Sequence, residues 1–278
     1  MRSASEAVRG LAAPMKSLAR DVLACLRFFT RAPVPNLAME RDPFGLPDFS
    51  RAAGALGLVG ALIGAFAAAV LLLAVAFGLS SGPAAAFALV ALVAATGALH
   101  EDGLADVADG FGGGQSAESK LAIMKDSRIG SFGAAALVLC LLLRWTLLAS
   151  LSSAGAGLAA TALVSAGAVS RVAALAPMVL LAPARRSGAG AALGRPSPRA
   201  LAVAAASAAF IGLAPALARE APIWPLLGCA LAVAATWLTA MLSRRQIGGF
   251  TGDVVGAAQQ AAEIAYLSAL CMGVRWLA

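Results

Sequence analysis

Charge is scarce in this sequence: 13% of its 278 residues are Asp, Glu, Lys or Arg, against about 25% in a soluble domain. With 60% hydrophobic residues, that shortage excludes a water-soluble globule and places most of the chain in lipid, as one polytopic domain over residues 1–278. The four cysteines, Cys25, Cys140, Cys229 and Cys271, form no Cys-x-x-Cys pair. Three of them lie in apolar stretches, so they read as small buried hydrophobes, neither a disulfide framework nor a metal site. No Gly-Lys-Ser/Thr follows a glycine-rich turn, which removes a P-loop. No repeat of 20–50 residues is visible, and no apolar signal-peptide region follows Met1. Histidine occurs once, at His100. The net charge of +7 would point to nucleic acid in a soluble protein. Here basic loops that hold helices at an anionic membrane face account for it, and no nucleic-acid partner is expected.

What is present in quantity is apolar sequence in helix-length runs. Residues 17–33 read as an amphipathic interfacial helix. Arg20, Arg27 and Arg31 fall within about 40° of one another at 100° per residue, and Leu18, Val22, Cys25 and Phe29 fall on the opposite side. Pro33 and Pro35 end it. Seven apolar stretches follow, near 55–79, 83–100, 132–151, 156–182, 200–217, 222–243 and 254–277, most of them long enough to cross a core about 30 Å thick. The expected fold is therefore all-α, with about seven transmembrane helices. Gly60 and Gly64 are spaced as Gly-x-x-x-Gly, which either brings two helices close or reflects the richness in glycine.

The connections alternate in charge. Eight Lys or Arg precede residue 55; three lie in 101–131, four in 183–199 and two in 244–253. The intervening turns hold only Arg219. Under the positive-inside rule the N-terminus and these loops face the cytoplasm and the C-terminus lies outside, with a multi-pass protein in the inner, or only, membrane of a prokaryote.

Six of the 14 acidic residues crowd into 101–126. In His100-Glu101-Asp102-Gly103-Leu104-Ala105-Asp106-Val107-Ala108-Asp109-Gly110, where the second span meets the cytoplasm, Asp102, Asp106 and Asp109 fall within about 60° of one another on a helix. Each carboxylate near lipid costs roughly 2.5–3.5 kcal/mol if left charged and unpaired. A divalent cation would compensate the stripe, and hard oxygen donors suit Mg²⁺ or Mn²⁺. Protonation, as in a relay, and a solvated helix end are the alternatives. His100 points about 160° away from Asp102 on a continuous helix, which leaves it a structural or a catalytic residue. Glu101 lies off the stripe and is expected to face solvent or sit as a helix-end charge.

Two further segments fall on the same predicted face. In Met124-Lys125-Asp126-Ser127-Arg128-Ile129-Gly130, two cations flank an aspartate, which suits phosphate oxygens; a positive-inside anchor is the plainer account. In Gly248-Gly249-Phe250-Thr251-Gly252-Asp253, a glycine-rich turn opens the last span and offers free N–H groups to an anion. Asp253 there is either a helix cap or a functional carboxylate. Glu263 within that span is a functional candidate by default. Arg171, also inside a span, is expected to face a polar cavity or a carboxylate, and Arg144 to snorkel. Carboxylates for a metal, cations for phosphate and the lack of a P-loop together point to metal-aided transfer of a phosphorus-containing group at the membrane.

The segments His100–Gly110, Ile123–Gly133 and Gly248–Asp253, with Leu26-Arg27-Phe28-Phe29-Thr30-Arg31-Ala32-Pro33-Val34-Pro35, resemble in order the signature segments of the cobalamin synthase (adenosylcobinamide-GDP ribazoletransferase) family. The resemblance implies a last-stage cobalamin (vitamin B12) biosynthetic transferase. A ribose hydroxyl of α-ribazole, or of its 5′-phosphate, would attack the cobinamide-linked phosphorus of adenosylcobinamide-GDP. GMP would leave, with Mg²⁺ as the cofactor. Carried onto this sequence, Asp102, Asp106 and Asp109 would hold Mg²⁺ and Glu263 would support a second ion. Lys125, Ser127, Arg128, Gly249, Thr251 and Arg171 would contact substrate, and Asp126, Asp253 or His100 would carry the proton. The expected partners are these small molecules and the bilayer; a homo-oligomer or association with other enzymes of the pathway is compatible with the reading. Glu101 and Gln259-Gln260 depart from the family's pattern, where an apolar residue and acidic character are expected.

Two rivals are weaker. Asp106-Val107-Ala108-Asp109-Gly110 matches the start of the CDP-alcohol phosphotransferase motif, but Gly113-Gly114 stand where Ala-Arg should follow, and two further aspartates are missing. A cation- or proton-coupled transporter would carry its charges near the midplane, in paired broken helices, whereas here they crowd one face.

Overall fold

The architecture was analysed in a computed structural model that describes residues 4–35, 45–185, 188–219 and 222–276. Helix α1 (Ala4–Phe29) is followed by the short α2 (Phe49–Ala52), one 3₁₀ turn and α3 (Leu56–Ala76). Then come α4 (Ser81–Thr96), α5 (Leu99–Gly113), α6 (Ala117–Ile123), α7 (Ser131–Ala154) and α8 (Ala156–Ala173). The chain continues through α9 (Ala176–Leu180), α10 (Ala189–Ala192), α11 (Pro198–Gly212), α12 (Ala214–Arg219), α13 (Ile223–Ile247) and α14 (Gly252–Trp276). Alanine and leucine, the strongest helix formers, fill these segments. Local chemistry sets their ends. Ser197 caps α11 by accepting from the Ala200 amide, with Pro198 in the first turn, and Gly248 in the left-handed conformation stops α13.

The all-α polytopic reading holds, with a refinement in the spans. Five segments are long and apolar enough to cross a membrane: Phe49–Ala76, Ser131–Ala154, Ala156–Leu180, Pro198–Ala216 and Ile223–Ile247. The expected span 83–100 is α4, and it does not run on into the aspartate stripe. Gly97 and Ala98 both take positive φ, +62° and +57°, and α5 leaves at 86° to α4. Such a turn carries α5 across the bundle rather than along it. The expected span 254–277 is α14. Gln259, Gln260 and Glu263 lower its apolarity, and all three are buried, because α13, α5, α8 and α7 pack around it.

Close packing rather than compositional bias explains Gly60 and Gly64. A Cβ on either would overlap the backbone of α8, at the Gly167 and Leu163 carbonyls respectively. Helix α1 also differs in use from its expected role. Val22, Cys25 and Phe29 are buried against protein and only Leu18 is exposed, and Arg51 ties it to α2 by an ion pair to Asp21 of 2.7 Å. All four cysteines are free thiols.

The two charges expected at surfaces lie inside. Arg144 on α7 is 1% exposed; it does not snorkel. It donates to Glu101 of α5 at 2.7 Å and to Glu263 of α14 at 2.8 Å. Glu101 is likewise buried. The bend before α5 rotates its Glu101 side into the bundle, where Arg144 compensates it. Gln260 bridges the group, accepting from Arg144 at 3.1 Å and donating to Glu101 at 3.1 Å. Gln259 donates to Glu263 at 2.7 Å and to Ser170 of α8 at 2.9 Å. The two glutamines that depart from the family's pattern thus complete a buried polar network joining four helices.

Candidate functional site

Helix α5 presents its aspartates at one end of the bundle, where α14 begins. Gly103 makes that meeting close: a Cβ there would stand 2.8 Å from the Asp253 carbonyl oxygen and 3.0 Å from its Cα. Asp102 is exposed, while Asp106 and Asp253 are half-buried. Asp106 is pushed up to about 7, by burial first and then by Asp102, Asp253 and Asp109; Arg185 opposes the shift. Three carboxylates therefore bear on Asp106, with one guanidinium beside them.

Arg185 reaches this position through backbone pairing. The Ala184 amide donates to the Phe250 carbonyl at 2.8 Å, and the Phe250 amide donates to the Ala182 carbonyl at 3.0 Å. Gly249 has no side chain because one would overlap Ala182, and Ser243 fixes the turn by donating to the Gly249 carbonyl at 2.6 Å. The Arg185 guanidinium also donates to the Leu121 carbonyl of α6 at 2.7 Å. Gly249, expected to offer its backbone to an anion, thus holds the segment that delivers Arg185. Thr251 is buried, caps α14 through the Val254 amide at 3.3 Å and donates to Asp253 at 3.1 Å, which leaves Asp253 clear of the capping role.

The other candidates are distributed differently. Asp109 is nearly buried, and both its oxygens are engaged: Gly130 and Gly133 donate to them at 2.7 and 2.8 Å. Its negative charge sits at the start of α7, where the helix dipole favours it. Asp126 and Arg128 form an exposed ion pair of 2.6 Å beside exposed Lys125 and Ser127, and Arg128 holds the Asp126 carboxyl down at about 2. His100 is buried and stacks on Phe29, with ring centroids 5.7 Å apart and planes at 8°. The structure places it inside the bundle, away from the exposed side of α5. Glu263 has Oε1 taken by Arg144 and Oε2 by Gln259, and Arg171 is buried with one bond to the Gly167 carbonyl at 3.2 Å. Neither is brought to Asp106. Among the described residues, no three His, Cys, Asp or Glu side chains converge as a ready-made metal site.

Sequence reasoning missed Arg185 as a site residue and Glu101 with Arg144 as a pair. Arg185 gave no signal beyond its count among the basic loop residues. Glu101 and Arg144 are 43 positions apart, and only the packing of α5 on α7 joins them.

Fold and site define the class: an integral-membrane helical protein with an acidic centre and a partnered cation at one end of its bundle. Residues 21–271 match the family model described as cobalamin-5-phosphate synthase, and the chain belongs to that family. It is similar to the adenosylcobinamide-GDP ribazoletransferase of Azorhizobium caulinodans, 48% identical over 92% of this chain and 96% of that one. The protein of that name from Mesorhizobium japonicum is 48% identical over 89% and 91%. That from Ralstonia nicotianae is 38% identical over 92% and 96%. No solved structure matches.

Proposed function

We propose that the chain is a transferase of late cobalamin biosynthesis that joins adenosylcobinamide-GDP to α-ribazole or its 5′-phosphate, at the end of the bundle where α5 meets α14. The observation that carries the placement is the close approach of α5 to the start of α14, where a Cβ on Gly103 would stand 2.8 Å from the Asp253 carbonyl oxygen, which brings Asp253 to the helix that carries Asp102 and Asp106. The family match supports the reaction. The ribose hydroxyl oxygen forms a bond to the cobinamide-linked phosphorus. The bond from that phosphorus to the GMP oxygen breaks, a phosphodiester remains, and GMP leaves with the electron pair.

Asp102 and Asp106 would hold Mg²⁺. Hard carboxylate oxygens fit that ion, and Mg²⁺ takes one or two carboxylates and fills its shell with substrate phosphates and water, so a three-donor protein cage is not required. When bound, Mg²⁺ supplies positive charge to the pyrophosphate oxygens. Asp253 accepts the proton of the attacking hydroxyl; it lies in the cluster, whereas Asp126 is committed to Arg128. Arg185 binds phosphate oxygens from within the site, and Lys125 and Arg128 contact the leaving nucleotide from the exposed loop. The concentration of basic residues in the loops on this side supports a cytoplasmic face.

The test is turnover by purified protein in detergent with adenosylcobinamide-GDP, α-ribazole 5′-phosphate and Mg²⁺, following GMP and corrinoid product. Product in the wild type, lost with EDTA and in Asp106→Asn, is the expected result. Absence of product from folded, lipid-supplemented protein overturns the function. Product that survives Asp106→Asn overturns the site.

A further inference from the structure

A groove of about 550 Å³ runs between α8–α9, α11 and α13, and its walls include Val172, Val179, Leu201, Ala205, Val233 and Trp237. Trp237 also borders an open surface hollow further along α13, whose lining residues, among them Met241, Leu242, Arg244 and Arg245, all belong to that helix. On α13 the positions Val233, Trp237, Met241 and Arg244 succeed one another at steps of four, four and three, so one helix stripe connects the two. From Val233 to Arg244 it extends about 16 Å, roughly half the thickness of a hydrocarbon core. Arg195 donates to the carbonyl of Val179, in the groove wall. No acidic residue lines the groove or the hollow. An open apolar groove on helices long enough to span a membrane, continued along α13 past Trp237 to two guanidinium groups, Arg244 and Arg245, has the polarity of one amphiphile: an acyl chain below, an anion above.

We propose that this groove is a binding site for an anionic glycerophospholipid, with one acyl chain between α11 and α13 and the headgroup phosphate on Arg244 and Arg245. The charge complementarity commits the site to an anionic lipid. A zwitterionic headgroup carries its own cation, which the two arginines repel. The site is separate from the carboxylate centre, so it stands whether or not the proposed reaction does.

The test uses the full chain in nanodiscs of phosphatidylcholine alone or with one quarter phosphatidylglycerol, read by lipid retained in native mass spectrometry and by thermal stability. Retained phosphatidylglycerol and a higher melting temperature in the mixed discs are expected. Each arginine near a membrane surface contributes about a fivefold gain in anionic binding, so Arg244→Gln/Arg245→Gln should retain over tenfold less. Ala205→Trp, at an exposed groove position, should displace the chain while leaving the arginines in place. Glycerol phosphate or inorganic phosphate added to phosphatidylcholine discs should not reproduce the stabilisation; if either does, the site is an anion site without a lipid chain. Equal retention of the two lipids, or equal retention by wild type and the arginine double variant, overturns the proposal. Both variants lie outside the carboxylate centre, and monodisperse elution and helical circular dichroism equal to the wild type's in detergent check that each is folded.

Discussion

Gly103 and Asp253 belong to different helices, yet the space a side chain would need at one is filled by the backbone of the other. Gly103→Val should therefore push α14 from α5 and spread the carboxylates. Overpacking of this kind costs about 1–3 kcal/mol in stability, while a displacement near 1 Å at a reacting centre costs about 10²-fold in rate. GMP release should fall far more than the melting temperature does, and unchanged turnover would show that the close approach is dispensable. The raised carboxyl of Asp106 gives a second outcome. Its folded pKa, about 7, lies above the ordinary carboxylate range, so between that range and pH 7 the folded cluster keeps a proton the unfolded chain has lost. The stability this proton contributes is present at low pH and is lost as pH rises through 7. Mg²⁺ bound at Asp106 as proposed would have to displace the same proton. Calorimetric titration should show Mg²⁺ affinity falling up to about tenfold per pH unit below 7 and levelling above it. Asp106→Asn should flatten the profile; a flat wild-type profile would remove Asp106 as the proton's seat.

At the scale of the helices, Arg144 holds α5, α7 and α14 together. Taking it away leaves Glu101 and Glu263 buried without a counter-charge, a loss of roughly 3–5 kcal/mol for a broken buried pair. Arg144→Met should lower the melting temperature in detergent sharply. Adding Glu101→Gln and Glu263→Gln should recover much of it, since no uncompensated charge then remains. Failure of the triple variant to recover would mean that the arginine acts by shape rather than charge. This network also marks where the sequence stops being readable. The aspartate stripe, the cation-flanked Asp126 and the glycine turn at 248–252 were legible, because each is a local pattern on one element. Glu101 with Arg144, and Asp106 with Arg185, were not. Those pairs depend on the 86° turn at Gly97-Ala98 and on the pairing of 182–184 with Phe250, and neither leaves a periodic trace. The stripe itself divides for the same reason. Asp102 and Asp106 face the site, while Asp109 turns to the amides that open α7.

At the scale of the molecule, the helix count was largely readable from the apolar runs, and what could not be read was which run is wrapped by the others. Helix α14 is 25 residues long, about 37 Å, and reaches across the bundle with its polar residues shielded by its neighbours. If it crosses with the five apolar segments and α4, the connections must alternate between two sides. The turn at Ser80 and the α7–α8 junction at Ser153 lie on one side, and Gln115 and Glu118, ahead of α7, on the other. All four positions are exposed, so each can carry a single cysteine in a variant whose four native cysteines are replaced by alanine. A membrane-impermeant maleimide should label Gln115→Cys and Glu118→Cys only in inverted vesicles, and Ser80→Cys and Ser153→Cys only in intact spheroplasts. That pattern follows from the basic loops: positive charge is retained on the cytoplasmic side, and in the proposed reading the carboxylate site shares the side of Gln115. Labelling of all four from one side would mean that α3–α4 and α7–α8 are re-entrant pairs and would reduce the spans. The reversed pattern would keep the helices and turn the carboxylate cluster outward.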